Sequence, residues 1–217
     1  MPDKFTDPYL DSETGILRNL VGARNYDELE NAEGELASSR ATEFVEHGVF
    51  RPTGSLADFQ RIHRALFQDI YDWAGEIRTV ELRKNVVGAE YFLPAANIPM
   101  GVAWAQGELV KDGMLRELNG EKFAERLAYH FDNYNFVHPF REGNGRTQRL
   151  FWTFLCHDAG YDLDWRKVSG EENDEASRLA AEDRDYAGLI RIFRRIAKPC
   201  DSHASIFSAD AGGSHLG

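Results

Sequence analysis

Apolar residues recur at intervals of three or four along most of this chain, a spacing that places them on one face of an α-helix. In the first half, the pattern predicts one helix over residues 26–47, ended by Gly48. A second helix is predicted to follow the capping-box-like sequence Ser55-Leu-Ala-Asp58 and to end around residues 73–77. Its apolar stripe consists of Phe59, Ile62, Leu66, Phe67 and Ile70.

The second half of the chain continues the helical pattern. Helices are predicted over residues 98–112, from Phe123 to about Val137, from about Gly145 onwards, and over residues 171–183 and 185–197. The helix that ends near Val137 stops just before Pro139, because the residue before a proline disfavours helical backbone. A glycine-rich loop joins it to the helix that begins near Gly145.

Residues 73–94 have a different character. Thr79 to Arg83 alternate in the manner of a β-strand, and Tyr91 to Leu93 could pair with them across residues 84–89. This segment is therefore predicted to be a β-hairpin or an extended flap, and it holds the only strands that the sequence indicates. The fold class that follows is an all-α protein with a short β-hairpin.

Composition and charge limit the kind of partner that the chain can bind. Asp and Glu outnumber Lys and Arg by 36 to 25, so the formal net charge is −11 and broad binding to nucleic acid or to a membrane surface is not expected. The two cysteines have no CxxC neighbour, the N-terminus has no apolar signal core, and no apolar run approaches a membrane span. We expect a cytoplasmic protein with an N-terminal arm (1–20), one domain (21–198) and a disordered tail (199–217).

The chemistry of the chain is concentrated in residues 138–149, which read His-Pro-Phe-Arg-Glu-Gly-Asn-Gly-Arg-Thr-Gln-Arg. Gly143 and Gly145 allow the backbone to bend and to approach a ligand. The helix that begins there directs free N–H groups and its positive dipole end into the loop, which suits phosphate. Arg146 and Arg149 are three residues apart, so they share a helix face from which both can reach phosphate oxygens.

Three further residues of this run suit phosphoryl or nucleotidyl transfer. Glu142 can hold Mg²⁺, which prefers carboxylate and phosphate oxygens. His138 can act as general base, because the ordinary pKa of histidine lies near neutral pH. Asn144 can donate to an oxygen on which charge grows in the transition state. Each residue alone is more often structural, but their presence within twelve positions between two apolar helices favours a functional site.

The run 138–149 resembles the Fic family motif, His-x-Phe-x-[Asp/Glu]-Gly-Asn-Gly-Arg-x-x-Arg, at every specified position. The segment Asp72-Trp-Ala-Gly-Glu-Ile-Arg-Thr79 is similar to the entry into the family's flap. The start of the chain, residues 7–19, resembles that of bacterial Fic toxins from toxin–antitoxin modules. The resemblance extends over about residues 5–197.

This resemblance implies a helical Fic core and an enzyme that moves AMP from ATP to a Ser, Thr or Tyr hydroxyl of a target protein. His138 would be the base, Phe140 would anchor the loop and Glu142 would bind Mg²⁺. The phosphate-binding residues would be Gly143, Asn144, Gly145, Arg146 and Arg149. The flap would align the target by strand-like pairing through Lys84, Asn85, Val86, Val87 and Gly88. Related toxins imply a topoisomerase subunit such as DNA gyrase as one candidate target.

Many Fic proteins carry an inhibitory Ser/Thr-x-x-x-Glu-Gly/Asn sequence whose Glu pairs with the second motif arginine. Glu33-Gly34 has Leu29 in place of the Ser or Thr, and Thr42 to Glu46 is followed by His47, so neither matches. A separate antitoxin that pairs a Glu with Arg149 is the resulting expectation. Two alternatives stay open: transfer of another group, which the retained Gly145 disfavours since Doc-type kinases have Lys there, and a binding module without catalysis.

Overall fold

The computed structural model describes residues 7–47, 50–83 and 91–200. Within them the chain forms seven α-helices, which confirms the all-α fold class. Their bounds are α1 (Tyr26–His47), α2 (Leu56–Phe67), α3 (Ile98–Lys111), α4 (Gly120–Val137), α5 (Asn144–Asp158), α6 (Gly170–Asp183) and α7 (Ala187–Ile196). The helix starts and ends predicted from periodicity agree with these bounds to within a few residues, except at the end of α2. Gly48, predicted to end α1, lies outside the described residues.

Helix α4 forms the centre of the core. Its apolar positions Phe123, Leu127, Phe131 and Tyr134 are almost completely buried, and the helix packs against α3, α5, α6 and α7. Helix α5 contributes to the same core, in which its Phe151 and Trp152 are fully buried. Because α4 ends where the motif run begins and α5 starts within it, two helices of the buried core hold the two ends of the motif loop.

Helix α2 begins as the sequence predicts and ends earlier. The Ser55 side chain accepts a hydrogen bond from the backbone N–H of Asp58, and the Asp58 carboxylate accepts from the N–H of Gly54 at 2.9 Å. The helix ends at Phe67, so the expected end around residues 73–77 is wrong. Ile70 lies in the turn after the helix and is still fully buried, which is why its position fits the helical stripe.

The strands differ from the sequence prediction. Strands β1 (Tyr161–Leu163) and β2 (Ala197–Pro199) form a two-stranded antiparallel sheet with Tyr161 opposite Pro199. In the predicted hairpin, the described residues show one antiparallel bridge, between Arg83 and Tyr91, instead of a strand over residues 79–83. Three-residue strands are too short to show an alternating pattern, and the two partners of this sheet are far apart in the sequence.

The described part of the N-terminal segment packs on the helical core. Tyr9, Ile16 and Leu17 are buried, and Leu10 forms a bridge with Leu17. The hydroxyl of Tyr9 accepts a hydrogen bond from the backbone N–H of Thr79 at 3.1 Å. This segment therefore braces the chain that leads into the predicted flap. No helix among the described residues is both long enough and apolar enough to cross a membrane.

Candidate nucleotide-binding site

Two residues with positive φ shape the loop between α4 and α5. His138 caps the C-terminus of α4 with φ 46°, and Gly143 caps the N-terminus of α5 with φ 77°. Gly143 is tightly enclosed, because a Cβ placed there would lie 2.5 Å from Cε2 of Phe67. The sequence expectation is therefore right for Gly143, whose left-handed backbone favours glycine. Gly145 lies within α5 and has room for a Cβ, so neither a backbone bend nor close packing requires a glycine at this position.

The Asn144 side chain forms two hydrogen bonds with the backbone of the motif loop. Its Oδ1 accepts from the backbone N–H of Phe140 at 2.9 Å, and its Nδ2 donates to the Phe140 carbonyl at 2.7 Å. Phe140 is fully buried, as expected of a loop anchor. An Asn amide nitrogen carries two hydrogens, so one remains to donate to a ligand. Asn144 thus has a structural duty that the sequence did not indicate, beside its expected contact with a phosphate.

His63 of α2 supports the loop from below. Its Nδ1 accepts from the backbone N–H of Gly75 at 2.7 Å, so its proton is on Nε2, which lies 3.0 Å from the carbonyl oxygen of Glu142. Its ring also stacks on Phe140 with centroids 3.9 Å apart. Burial lowers the pKa of His63 to about 3, so the ring is neutral near pH 7. His63 is therefore a hydrogen-bonded core histidine.

Contacts around His138 join the motif loop to the two feet of the predicted flap, which are residues 80–83 on one side and residues 91–93 on the other. Arg78 is fully buried, and its Nε donates to the His138 carbonyl at 2.8 Å. Its terminal nitrogens donate to the carbonyls of Val80 at 2.8 Å and Leu93 at 2.5 Å. Phe92 stacks on the His138 imidazole. One guanidinium and one ring therefore connect both sides of the predicted flap to the candidate base.

A cleft of about 1190 Å³ opens beside His138. On the loop side it is lined by Phe92, His138, Arg141 and Glu142. Helix α6 forms the opposite wall with Gly170, Glu171, Asp174, Glu175 and Arg178. The cleft is large enough for a nucleotide and part of a target segment. No residue of α6 was predicted to line the site, because the acidic residues 171–175 are typical of a solvated helix start.

Three charged side chains, those of Glu142, Arg146 and Arg149, follow one another from the His138 cleft to a second cavity. Glu142 is 43% exposed, and its Oε1 accepts from the N–H of Gly143 at 2.8 Å. Arg146 lies 3.6 Å from that same oxygen and forms a closer ion pair with Glu33 of α1. Arg149 lines a second cavity, of about 320 Å³, with its guanidinium 5.9 Å from the ring centre of Trp165. Arg146 therefore contacts Glu142 at the N-terminus of α5 and shares the lining of the second cavity with Arg149.

The predicted target-aligning residues Lys84, Asn85, Val86, Val87 and Gly88 lie outside the described residues. The chain on either side of them is paired. Besides the Arg83–Tyr91 bridge, the backbone N–H of Phe92 donates to the Leu82 carbonyl at 2.9 Å. The two feet of the predicted flap are therefore antiparallel neighbours beside the cleft.

Two residues of this site, Glu33 and Arg78, were not predicted. Glu33 was considered only as an inhibitory glutamate that pairs with Arg149, whereas it pairs with Arg146, 113 positions away. Arg78 was noted only as part of a segment similar to the flap entry. A signal was available for Glu33: it occupies an apolar-face position of α1, four residues after Leu29 and four before Ala37, both of which are buried.

Comparison with known proteins agrees with this geometry. Residues 53–156 match the model of the Fic/DOC family. The chain is 35% identical over 199 residues to the probable protein adenylyltransferase Fic of Escherichia coli K12, and the match covers 90% of this chain and 96% of that one. It is 37% identical over 172 residues to protein adenylyltransferase VbhT of Bartonella schoenbuchensis, covering 79% of this chain and 35% of VbhT, so it spans about a third of that longer relative.

A similar fold is found in the crystal structure of BepC, a VirB-translocated effector protein from Bartonella tribocorum with bound AMPPNP. The TM-score is 0.80 at 25% identity, covering 88% of this chain and 96% of BepC. The motif loop between α4 and α5, the helical core around it and the near full-length match to the Escherichia coli relative agree with one another. This chain belongs to the Fic/DOC family.

Proposed function

We propose that this chain transfers AMP from ATP to a hydroxyl group of a target protein and releases pyrophosphate. The observation that carries the proposal is the placement of His138 and the N-terminus of α5 at the two ends of one loop, which lines a cleft of about 1190 Å³. The relatives named protein adenylyltransferases and the AMPPNP bound by BepC support the same reaction.

In this reaction His138 accepts the proton of the target Ser, Thr or Tyr hydroxyl. The hydroxyl oxygen then forms a bond to the α-phosphorus, while the bond from that phosphorus to the bridging oxygen of the β-phosphate breaks. Asn144 donates to the α-phosphate, and the backbone N–H groups of Gly143 and Gly145 contact phosphate oxygens. Arg146 and Arg149 hold the β- and γ-phosphates, so that pyrophosphate leaves with its charge stabilised.

The residues at the loop fit a magnesium ion. Glu142 supplies a partly exposed carboxylate, a hard oxygen ligand of the kind that Mg²⁺ shares with nucleotide phosphates. Among the described residues, its protein contacts involve Oε1, which leaves Oε2 for an ion. When bound, Mg²⁺ would neutralise phosphate charge and stabilise the leaving pyrophosphate.

Transfer of radiolabel from ATP to protein in a cell lysate tests the proposal. Label from α-labelled ATP and none from γ-labelled ATP is expected, and His138→Ala should abolish it while the folded state, followed by circular dichroism, is kept. Label from the γ position alone would instead establish a kinase, and no label from either would establish a binding module. Full activity of His138→Ala would exclude His138 as the base.

The target is proposed to be an endogenous cytoplasmic protein, with a topoisomerase subunit such as DNA gyrase as the first candidate, because the start of the chain resembles that of bacterial Fic toxins. The flap residues 84–88 would pair with the segment that carries the hydroxyl. Mass spectrometry of proteins from expressing cells, searched for the mass of added AMP, identifies the target. Modification of proteins other than topoisomerase subunits would contradict this choice.

We also propose that the activity is restrained by a small antitoxin that places a glutamate against Arg149. Among the described residues, no carboxylate forms an ion pair with Arg149. The cavity beside it is lined by small residues of α1, by Arg146, Leu150 and Thr153 of α5, and by Leu66 and Trp165. Growth of cells that express the chain with and without the adjacent small open reading frame tests this. Equal toxicity in both cases, with no complex on co-purification, would exclude the antitoxin.

A further inference from the structure

Glu33 is a buried carboxylate within the nucleotide-binding site that the proposed reaction does not itself use. Its side chain is 10% exposed. One oxygen, Oε2, forms an ion pair with Nη2 of Arg146, and the other, Oε1, accepts a hydrogen bond from the hydroxyl of Tyr71. Both oxygens therefore have partners, as a buried carboxylate requires.

Tyr71 gives Glu33 a fixed position. The tyrosine is 1% exposed and stacks on Trp73 with ring centroids 4.2 Å apart. Burial and the neighbouring Glu33 carboxylate raise the pKa of Tyr71, so its hydroxyl keeps its proton and remains a donor. The position of Glu33 is thus set by the core rather than by the flexibility of an exposed side chain.

Two carboxylates compete for Arg146. Glu142 lies one helical turn before it, with Oε1 at 3.6 Å from the same Nη2 atom that contacts Glu33. The guanidinium also lies 4.8 Å from the ring centre of Phe67. Among the described residues, the ion pairs of Arg146 all use Nη2, so Nε and Nη1 remain for a phosphate.

We infer that Glu33 is a positioning residue that holds Arg146 more closely than Glu142 does and so limits the contact between Arg146 and Glu142 to 3.6 Å. The inference rests on the proposed function, because it assigns Glu142 to the magnesium ion and Arg146 to a phosphate. With Glu33 in place, Arg146 is drawn towards α1 and directs its remaining donors at the nucleotide, while the Glu142 carboxylate stays available to the metal. Without Glu33, the i, i+4 contact between Glu142 and Arg146, now 3.6 Å long, would close into a direct ion pair that occupies both groups.

The test compares Glu33→Gln and Tyr71→Phe with the control Glu35→Gln, which removes an exposed carboxylate two residues along the same helix. Glu33→Gln keeps the shape of the side chain and removes its charge. Tyr71→Phe removes only the hydroxyl that anchors Glu33. The first readout is binding of Mn²⁺, followed by electron paramagnetic resonance, to the protein with α,β-methylene-ATP, which cannot release pyrophosphate. The second is the Mg²⁺ dependence of AMP transfer.

Residues that orient a metal ligand typically change metal affinity by about 10- to 100-fold when mutated. Glu33→Gln is therefore expected to weaken Mn²⁺ binding and to raise the Mg²⁺ concentration for half-maximal transfer by about 10-fold or more. Tyr71→Phe should shift both in the same direction by less, and Glu35→Gln should shift neither. Thermal unfolding of each variant checks that it is folded, and Tyr71→Phe decides the question if Glu33→Gln unfolds.

Unchanged metal binding in a folded Glu33→Gln or Tyr71→Phe variant would overturn the inference. So would increased transfer without a raised Mg²⁺ requirement, because Glu33 would then restrain Arg146 instead of positioning it. The proposed function and the proposed role of Glu33 can be refuted independently of each other. If the wild-type chain transfers no AMP, the proposed function is wrong, while the Mn²⁺ measurement still decides whether Glu33 protects the carboxylate of Glu142.

Discussion

Phe92 lies face to face on the imidazole ring of His138, with the ring centroids 3.7 Å apart and the planes 8° from parallel. Phe92 belongs to one foot of the predicted flap, and its backbone N–H donates to Leu82 of the other foot. The ring orientation of the candidate base is therefore coupled to the backbone that leads into the proposed target-aligning segment. Any change in this stacking should affect the base and the flap together.

Replacing Phe92 by Leu should slow AMP transfer while leaving the protein folded. Leucine keeps the apolar contact but loses the parallel stacking, and aromatic pairs are worth about 0.5–1.5 kcal/mol beyond their area, so a fall in kcat of about 2- to 10-fold is expected. Steady-state kinetics with saturating ATP measures it. Tyr91→Leu is the matched control, because Tyr91 is the neighbouring aromatic and is 60% exposed. Equal losses in both variants would contradict a specific role for Phe92.

Arg78 should contribute strongly to stability. Arg78→Met leaves the carbonyl oxygens of Val80, Leu93, Val137 and His138 without this donor. Because each unsatisfied buried polar group costs about 1–3 kcal/mol, the free energy of unfolding should fall by about 3 kcal/mol or more. Urea unfolding measures the loss. Arg78→Lys keeps the charge but offers a different donor geometry, so an intermediate loss is expected.

The control for Arg78 is Arg83→Met. Arg83 lies in the same flap foot, is exposed and has its guanidinium 6.0 Å from the ring centre of Tyr91. Its replacement should change the free energy of unfolding by about 0.5 kcal/mol or less, as is usual for surface positions. Similar losses of unfolding free energy in Arg78→Met and Arg83→Met would show that the buried guanidinium of Arg78 contributes no more to stability than an exposed one.

The sequence predicted the parts of this protein that depend on short-range patterns. Residues 26–47 form α1 as expected, since turn after turn of that helix repeats the same local spacing. The loop from His138 to Arg149 could be predicted equally well, because its residues are consecutive in the sequence. Sheet β1–β2 was missed because each strand has three residues and its partner lies about 35 positions away, a separation at which periodicity carries no information.

The support of the site escaped prediction for the same physical reason. Arg78 and His138 are 60 positions apart, and His63 and Glu142 are 79 apart, so their contacts exist only after the core has formed. An isolated arginine or histidine in a sequence does not reveal which carbonyl it will meet. The residues proposed to contact the nucleotide were thus predicted as a motif, whereas the residues that hold the motif in place could be identified only from the fold.

His63 should make the protein less stable in mild acid. Burial, followed by the charges of Arg146 and Arg64, lowers its pKa from 6.5 to about 3, although the contact with Glu142 opposes this. Between these values the unfolded chain binds a proton that the folded chain does not, so stability is lost as pH falls below about 6.5. The slope approaches about 1.4 kcal/mol per pH unit for one proton.

Urea unfolding at pH 7, 6 and 5 measures this slope in the wild type and in His63→Gln. The variant lacks the titrating ring, so the stability difference between the two proteins should narrow as pH falls. Other groups that titrate in this range, including the buried His130, are present in both proteins and cancel in the comparison. Parallel pH curves for the two proteins would show that His63 takes up its proton in the folded state as readily as in the unfolded chain.

The two glycines of the motif should separate stability from ligand binding. Gly143→Ala places a Cβ in a left-handed backbone with φ 77° and against Phe67, so the free energy of unfolding should fall by about 2 kcal/mol or more. Gly145→Ala adds a methyl group in open space within α5, where alanine favours the helix by about 1 kcal/mol at most. If the Gly145 backbone approaches a phosphate, this stable variant should still lose ATP binding and AMP transfer. Thermal unfolding and labelled-ATP transfer measure both effects, and full activity of Gly145→Ala would remove Gly145 from the phosphate site.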